Sequence, residues 1–141
     1  ATGHLVFGTL HTMSAAKTVD RIIEVFPTNQ QEQIRSTLAD GIRAVISQTL
    51  FKRRDKKGRV AALEIMIANP AVRNLIREGK TFQIPSMIAV GKKFGMQSLD
   101  DAIMELMNKR IISAEDAYLK AVEKSKFVPF MKNPPADFTE A

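Results

Sequence analysis

The chain begins with a short apolar run. Leu5, Val6, Phe7 and Leu10 put apolar side chains on both parities, which predicts a strand covered on both faces, as in a parallel sheet packed between helices. The period then lengthens. Ala15, Val19, Ile22, Ile23 and Phe26 recur at helical spacing, so a helix is expected over 14–26, with Ser14 as its N-cap and Pro27 ending it. A second helix is expected from Asn29, where Asn29 and Glu32 stand at capping-box spacing and Ile34, Leu38, Ile42 and Val45 form an apolar stripe. Residues 45–51 and 59–67 read as strands, the second carrying Val60, Leu63, Ile65 and Ile67. Asp55-Lys56-Lys57-Gly58 between them reads as a turn, which makes the pair an expected hairpin.

From Asn69 onward the pattern is helical. Asn69 is an N-cap, Pro70 takes the first helical position and Gly79 closes the segment. A further helix is expected over 85–93. Ser98 with Asp101, and Ser113 with Asp116, mark two more helix starts, with Leu99, Ala102, Ile103, Leu106 and Met107 and then Ala114, Ala117, Tyr118 and Ala121 as buried faces. Residues 126–141 carry Pro129, Pro134 and Pro135 without a period, so an extended or disordered tail is expected there. The chain thus divides into a mixed α/β part over 1–68, a helical part over 69–125 and the tail.

Composition narrows this little. The 141 residues are 45% hydrophobic and 26% charged, which fits a globular domain with its own core. Without cysteine there are neither disulfides nor thiolate metal sites. No apolar run approaches a membrane span. The net charge of +6 permits an anionic partner and specifies none. The densest basic run, Lys52-Arg53-Arg54-Asp55-Lys56-Lys57, reads first as a solvated hairpin tip. An alternative function follows from the charge: a basic helical nucleic-acid-binding or interaction module without catalytic activity. Against it stands the lack of a stacking platform, since Tyr118 is the one tyrosine and there is no tryptophan. The first residue is Ala and the expected strand follows at once, so a piece of a longer protein is expected.

Candidate chemistry sits at two places. His11 falls just past the carboxyl end of the expected strand, where open α/β sheets place ligands, and Thr9, Thr12 and Ser14 flank it. The spacing of His4 and His11 fits no metal motif, and no metal site is expected. On chemistry alone both histidines read as structural. Gly79-Lys80-Thr81 has the look of the end of a phosphate-binding loop, but Asn74 stands where the loop requires glycine, and the preceding residues read as a helix. Gly91-Lys92-Lys93 fails in the same way, and no acidic run follows a strand. The second place is the helix over 71–78. Val72, Leu75 and Ile76 form its buried stripe, while Arg73 and Arg77 lie on neighbouring turns as an exposed basic pair.

Both places carry a resemblance. Gly3-His4-Leu5-Val6-Phe7-Gly8-Thr9-Leu10-His11-Thr12-Met13-Ser14-Ala15 resembles the histidine box of the secretion and pilus-motor ATPases, with Met13 where that family has Asn. Ala71-Val72-Arg73-Asn74-Leu75-Ile76-Arg77-Glu78 resembles the Ala-Ile-Arg-Asn-Leu-Ile-Arg-Glu signature of the type IV pilus retraction motors in that family, with Val72 for Ile. Residues 15–23, 45–48 and 95–100 are similar to family segments as well. The resemblance implies an α/β fold: the C-terminal part of a RecA-like three-layer core, followed by an all-helical C-terminal domain. It implies a cytoplasmic homohexameric ATPase, peripheral at the inner-membrane pilus base, that uses ATP and Mg²⁺ to power pilus retraction and twitching motility. Most ligands of the nucleotide and the ion would lie outside this chain. The implied partner is the inner-membrane platform protein, with neither nucleic acid nor a membrane span. His11 is implied as the catalytic residue near the γ-phosphate. His4, in a structural role, and Thr12 are implied close to the nucleotide, and Arg73, Asn74, Arg77 and Glu78 as the retraction surface.

Overall fold

The computed structural model describes residues 3–5 and 8–135. Helix α1 (Ala15–Glu24) starts where the sequence places it, with the Ser14 hydroxyl accepting the Lys17 N–H at 3.1 Å. It buries Ala15, Val19 and Ile23. Helix α2 (Thr28–Gly41) begins one residue earlier than expected, and the Asn29–Glu32 capping box does not form. Pro27, at φ −56°, leads straight into the helix, and its carbonyl accepts the Gln30 N–H at 2.8 Å, so Asn29 already lies inside the first turn. The helix stops at Gly41, Ile42 is extended, and Val45 belongs to the strand that follows.

Strands β1 (Ala44–Lys52) and β2 (Arg59–Ile67) form the expected antiparallel hairpin, in register from Ala44 opposite Ile67 to Lys52 opposite Arg59. Its tip is fixed by a two-point contact of the Arg53 guanidinium with the Asp55 carboxylate, at 2.9 and 2.7 Å. The parity facing the core is the less apolar one. Ser47, Thr49, Phe51, Ala62, Glu64 and Met66 are buried, whereas Ile46 is 64% exposed opposite a half-buried Ile65.

The remaining elements are helical. Helix α3 (Pro70–Arg77) has the Asn69 side chain accepting the Val72 N–H at 3.0 Å, and it closes on Gly79 at φ +70°. Helices α4 (Ile84–Val90), α5 (Leu99–Asn108) and α6 (Ala114–Lys120) follow, the last two capped by Ser98 and Ser113 as the spacing predicts. Gln97 bridges back to the sheet through paired backbone bonds with Ile65 at 2.9 and 3.0 Å. Two hydrophobic clusters form, and the hairpin feeds both. Met66 packs with α1, α3 and α4, while Phe51 and Ala62 pack with α5 and α6.

Two expectations are corrected. Residues 3–5 and 8–10 form no strand, with Leu5 83% and Leu10 48% exposed, while Val6 and Phe7 lie outside the described residues. A strand buried on both faces needs parallel neighbours, and the sheet among the described residues is the antiparallel hairpin alone. Gly8, Thr9 and Leu10 line a cleft with Val45–Gln48 of β1 but do not join its ladder. The tail is not extended from residue 126. Lys124–Lys126 and Val128–Phe130 are 3₁₀ turns, and Phe127 between them is fully buried in the second cluster. Burial of one large aromatic holds a segment that its prolines alone would leave extended. Residues 136–141 of the expected tail lie outside the described residues.

Candidate functional site

The residues around His11 are held by the start of α1. Thr12 and Thr18 share a hydroxyl–hydroxyl bond of 2.6 Å, and the Thr18 hydroxyl donates to the Ser14 carbonyl at 2.9 Å. The buried first residue, Ala15, donates its N–H to Glu64 Oε1 on β2 at 2.7 Å. Farther along α1, Thr81 Oγ1 donates to Asp20 Oδ1 at 2.6 Å. The histidine segment is therefore tied to a helix that is bonded to both the hairpin and the helical half.

His11 itself is exposed. It lines a cleft of about 400 Å³ with Thr12, Met13, Lys17, Asp20, Arg21 and Glu24. Lys17, Arg21 and an imidazole N–H are suited to an anion such as phosphate, while Asp20 and Glu24 leave the cleft mixed in charge. Thr12 shares this cleft, but His4, also exposed, does not line it. Among the described residues no group of three or more His, Asp or Glu side chains is placed to hold a metal ion.

The arginine helix is bonded in a way the pattern did not indicate. Arg73 is half-buried, and its Nη1 donates to the carbonyls of Ala39 and, at 3.0 Å, of Asp40. Arg77 donates to Asn74 Oδ1 at 2.9 Å and pairs with the Asp40 carboxylate at 2.6 Å. Glu78 pairs with Lys80 at 3.2 Å. The exposed basic pair expected on this helix is thus engaged within the chain. The Arg73 guanidinium caps the carbonyl end of α2, where unsatisfied carbonyls and the helix dipole favour cations, and Arg77 pairs with the Asp40 carboxylate beside it.

Glu64 was missed as a site residue. It is buried between Ala62 and Met66. Burial raises its pKa above the ordinary carboxylate value; the Ala15 N–H opposes this and the nearby Asp100 charge adds to it. The available signal was a carboxylate inside the apolar run Leu63-Glu64-Ile65-Met66.

Residues 1–119 match the family described as type II/IV secretion system protein. The chain belongs to this family. A protein of Neisseria gonorrhoeae described as a twitching motility protein is 55% identical over 120 residues, covering 85% of this chain and 32% of that protein. The type IV pilus retraction ATPase PilT of Pseudomonas aeruginosa is also 55% identical over 120 residues, covering 85% of this chain and 35% of PilT. A crystal structure of the pilus retraction motor PilT with bound ADP superposes with a TM-score of 0.73 at 41% identity, over 89% of this chain and 34% of that one. The chain spans about a third of the length of the curated relatives it matches. Both the histidine box and the arginine octet fall inside the stretch that matches the family.

Proposed function

We propose that this chain is the C-terminal portion of an ATPase motor that powers type IV pilus retraction and twitching motility. The observation that carries this reading is the 55% identity over 120 residues to a pilus retraction ATPase. In this reading 1–68 ends a RecA-like core, 69–125 forms a helical C-terminal domain and 126–141 follows as a tail. The whole protein is a cytoplasmic homohexamer at the inner-membrane pilus base. It acts on the platform protein and hydrolyses ATP with Mg²⁺.

His11 is the catalytic residue in this account. An imidazole N–H at the cleft donates to a terminal phosphate oxygen, and the bond strengthens as charge develops during cleavage. Lys17 and Arg21 add positive potential to the same cleft. Thr12 holds the segment through Thr18, and His4 plays a structural part near the nucleotide. Arg73 and Arg77 couple hydrolysis to retraction by joining α3 to the end of α2, Asn74 holds Arg77, and Glu78 completes the same surface. A joint between two helices can pass a shift at one of them on to the other.

Deleting the gene and restoring it, wild-type or with His11→Ala, tests the proposal. Loss of a retraction motor leaves surface pili assembled and twitching absent, and His11→Ala does not restore movement. Deletion that removes the pili themselves, or twitching that survives deletion, contradicts it.

A further inference from the structure

We infer that Glu64 is a positioning residue for His11, acting through the first turn of α1; this rests on the reading of His11 given above. Ala15 has no exposed surface, so its N–H, one of the donors that a helix start leaves unpaired, has no access to water. Glu64 Oε1 meets it at 2.7 Å from a strand 49 residues away in sequence. The acceptor is costly where it stands. It occupies the buried parity of β2, between Ala62 and Met66, where an apolar side chain would be the ordinary choice.

The bond fixes the point from which the histidine segment departs. On one side of Ala15 the Ser14 hydroxyl caps α1, and Thr12 is tied to Thr18. On the other side Glu64 fastens the helix start to the hairpin. Asp20 and Thr81 hold α1 farther along but do not fix this end. A negative side chain at the positive end of a helix adds to the hold. Displacing the start of α1 carries His11 with it, and misplacement by about 1 Å at a reacting centre costs up to 10²-fold in rate.

Reach and charge can be separated. Glu64→Gln keeps an oxygen at the same distance and removes the charge. Glu64→Asp keeps the charge and withdraws the oxygen by about 1.5 Å, beyond hydrogen-bond range. The test measures kcat, KM for ATP and Tm in the full-length protein for both variants, for His11→Ala and for Glu64→Asp combined with His11→Ala. The expected result is kcat close to wild type for Glu64→Gln and lower by roughly 10- to 100-fold for Glu64→Asp, with KM little changed. The double variant is expected to be no slower than His11→Ala alone. Where Glu64→Asp does not fold, Glu64→Met removes the acceptor at equal length, with the same expectation. Wild-type kcat in Glu64→Asp, equal losses in Asp and Gln, or losses that add fully to those of His11→Ala overturn the inference and leave His11 in place. Wild-type kcat in His11→Ala overturns both.

Discussion

The histidine segment and the arginine helix make an instructive pair. Each carries a family signature, and from the sequence each offered exposed polar groups to something outside the chain. The structure treats them differently. His11 stays exposed at a cleft, with its segment anchored from behind by Thr18 and Glu64. Arg73 and Arg77 are consumed by the chain itself, Arg73 as a cap on the last carbonyls of α2 and Arg77 as the partner of the Asp40 carboxylate. A signature thus identifies residues with a shared role without saying whether the role is outward contact or internal joint. Bonding geometry decides between them: a cation on carbonyls at a helix end is structural, whatever else it transmits.

The largest expected effect lies on the histidine side. His11→Ala in the full-length protein lowers kcat by about 10²- to 10³-fold, about 3–4 kcal/mol of transition-state stabilisation, the scale of one lost oxyanion donor. ATP affinity changes little, and steady-state kinetics beside equilibrium binding check this. If affinity falls instead and kcat holds, His11 is a ground-state contact.

Next comes Arg73→Ala, with a stability loss of about 1–2 kcal/mol, since a half-buried guanidinium bonded to two carbonyls is removed from a helix end. Arg77→Ala costs less, about 0.2–1 kcal/mol, because its pair with Asp40 is exposed. Denaturant midpoints rank the two, and the reverse order would mean that Asp40 and not the carbonyls holds the joint.

The smallest effect is a pH dependence. The Glu64 pKa is raised in the folded state, so the native protein holds a proton that the unfolded chain releases. Stability from this group is full below the ordinary Glu value and is lost as pH rises through the raised one. Glu64→Gln does not titrate. Its Tm therefore gains on wild type as pH rises through that window, and parallel Tm curves would show that folding leaves the Glu64 pKa unshifted.

Local signals were legible where one side chain suffices. Ser14, Asn69, Ser98 and Ser113 each cap the helix that their spacing announces, and Asp55 and Gly58 lie in the hairpin turn. Signals that depend on distant partners were not. The run around Leu5 has the composition of a strand, but its described residues pair with no ladder, and the prolines near Phe127 hid its burial. The apolar stripe of β2 pointed to Leu63 and Ile65, yet the buried face holds Glu64, whose partner Ala15 lies 49 residues away. Arg73 looked free because its carbonyl partners sit on another helix.

The central claim is that chemistry and coupling reside at separate places, His11 at the cleft and Arg73 with Arg77 at the α2–α3 joint. Its most direct test is the Arg73→Ala, Arg77→Ala double variant of the full-length protein, with ATPase rate and twitching measured side by side at a temperature where the variant is folded. The account predicts an ATPase rate within about twofold of wild type together with lost twitching. An ATPase rate that collapses in step with twitching, or twitching that persists, contradicts it.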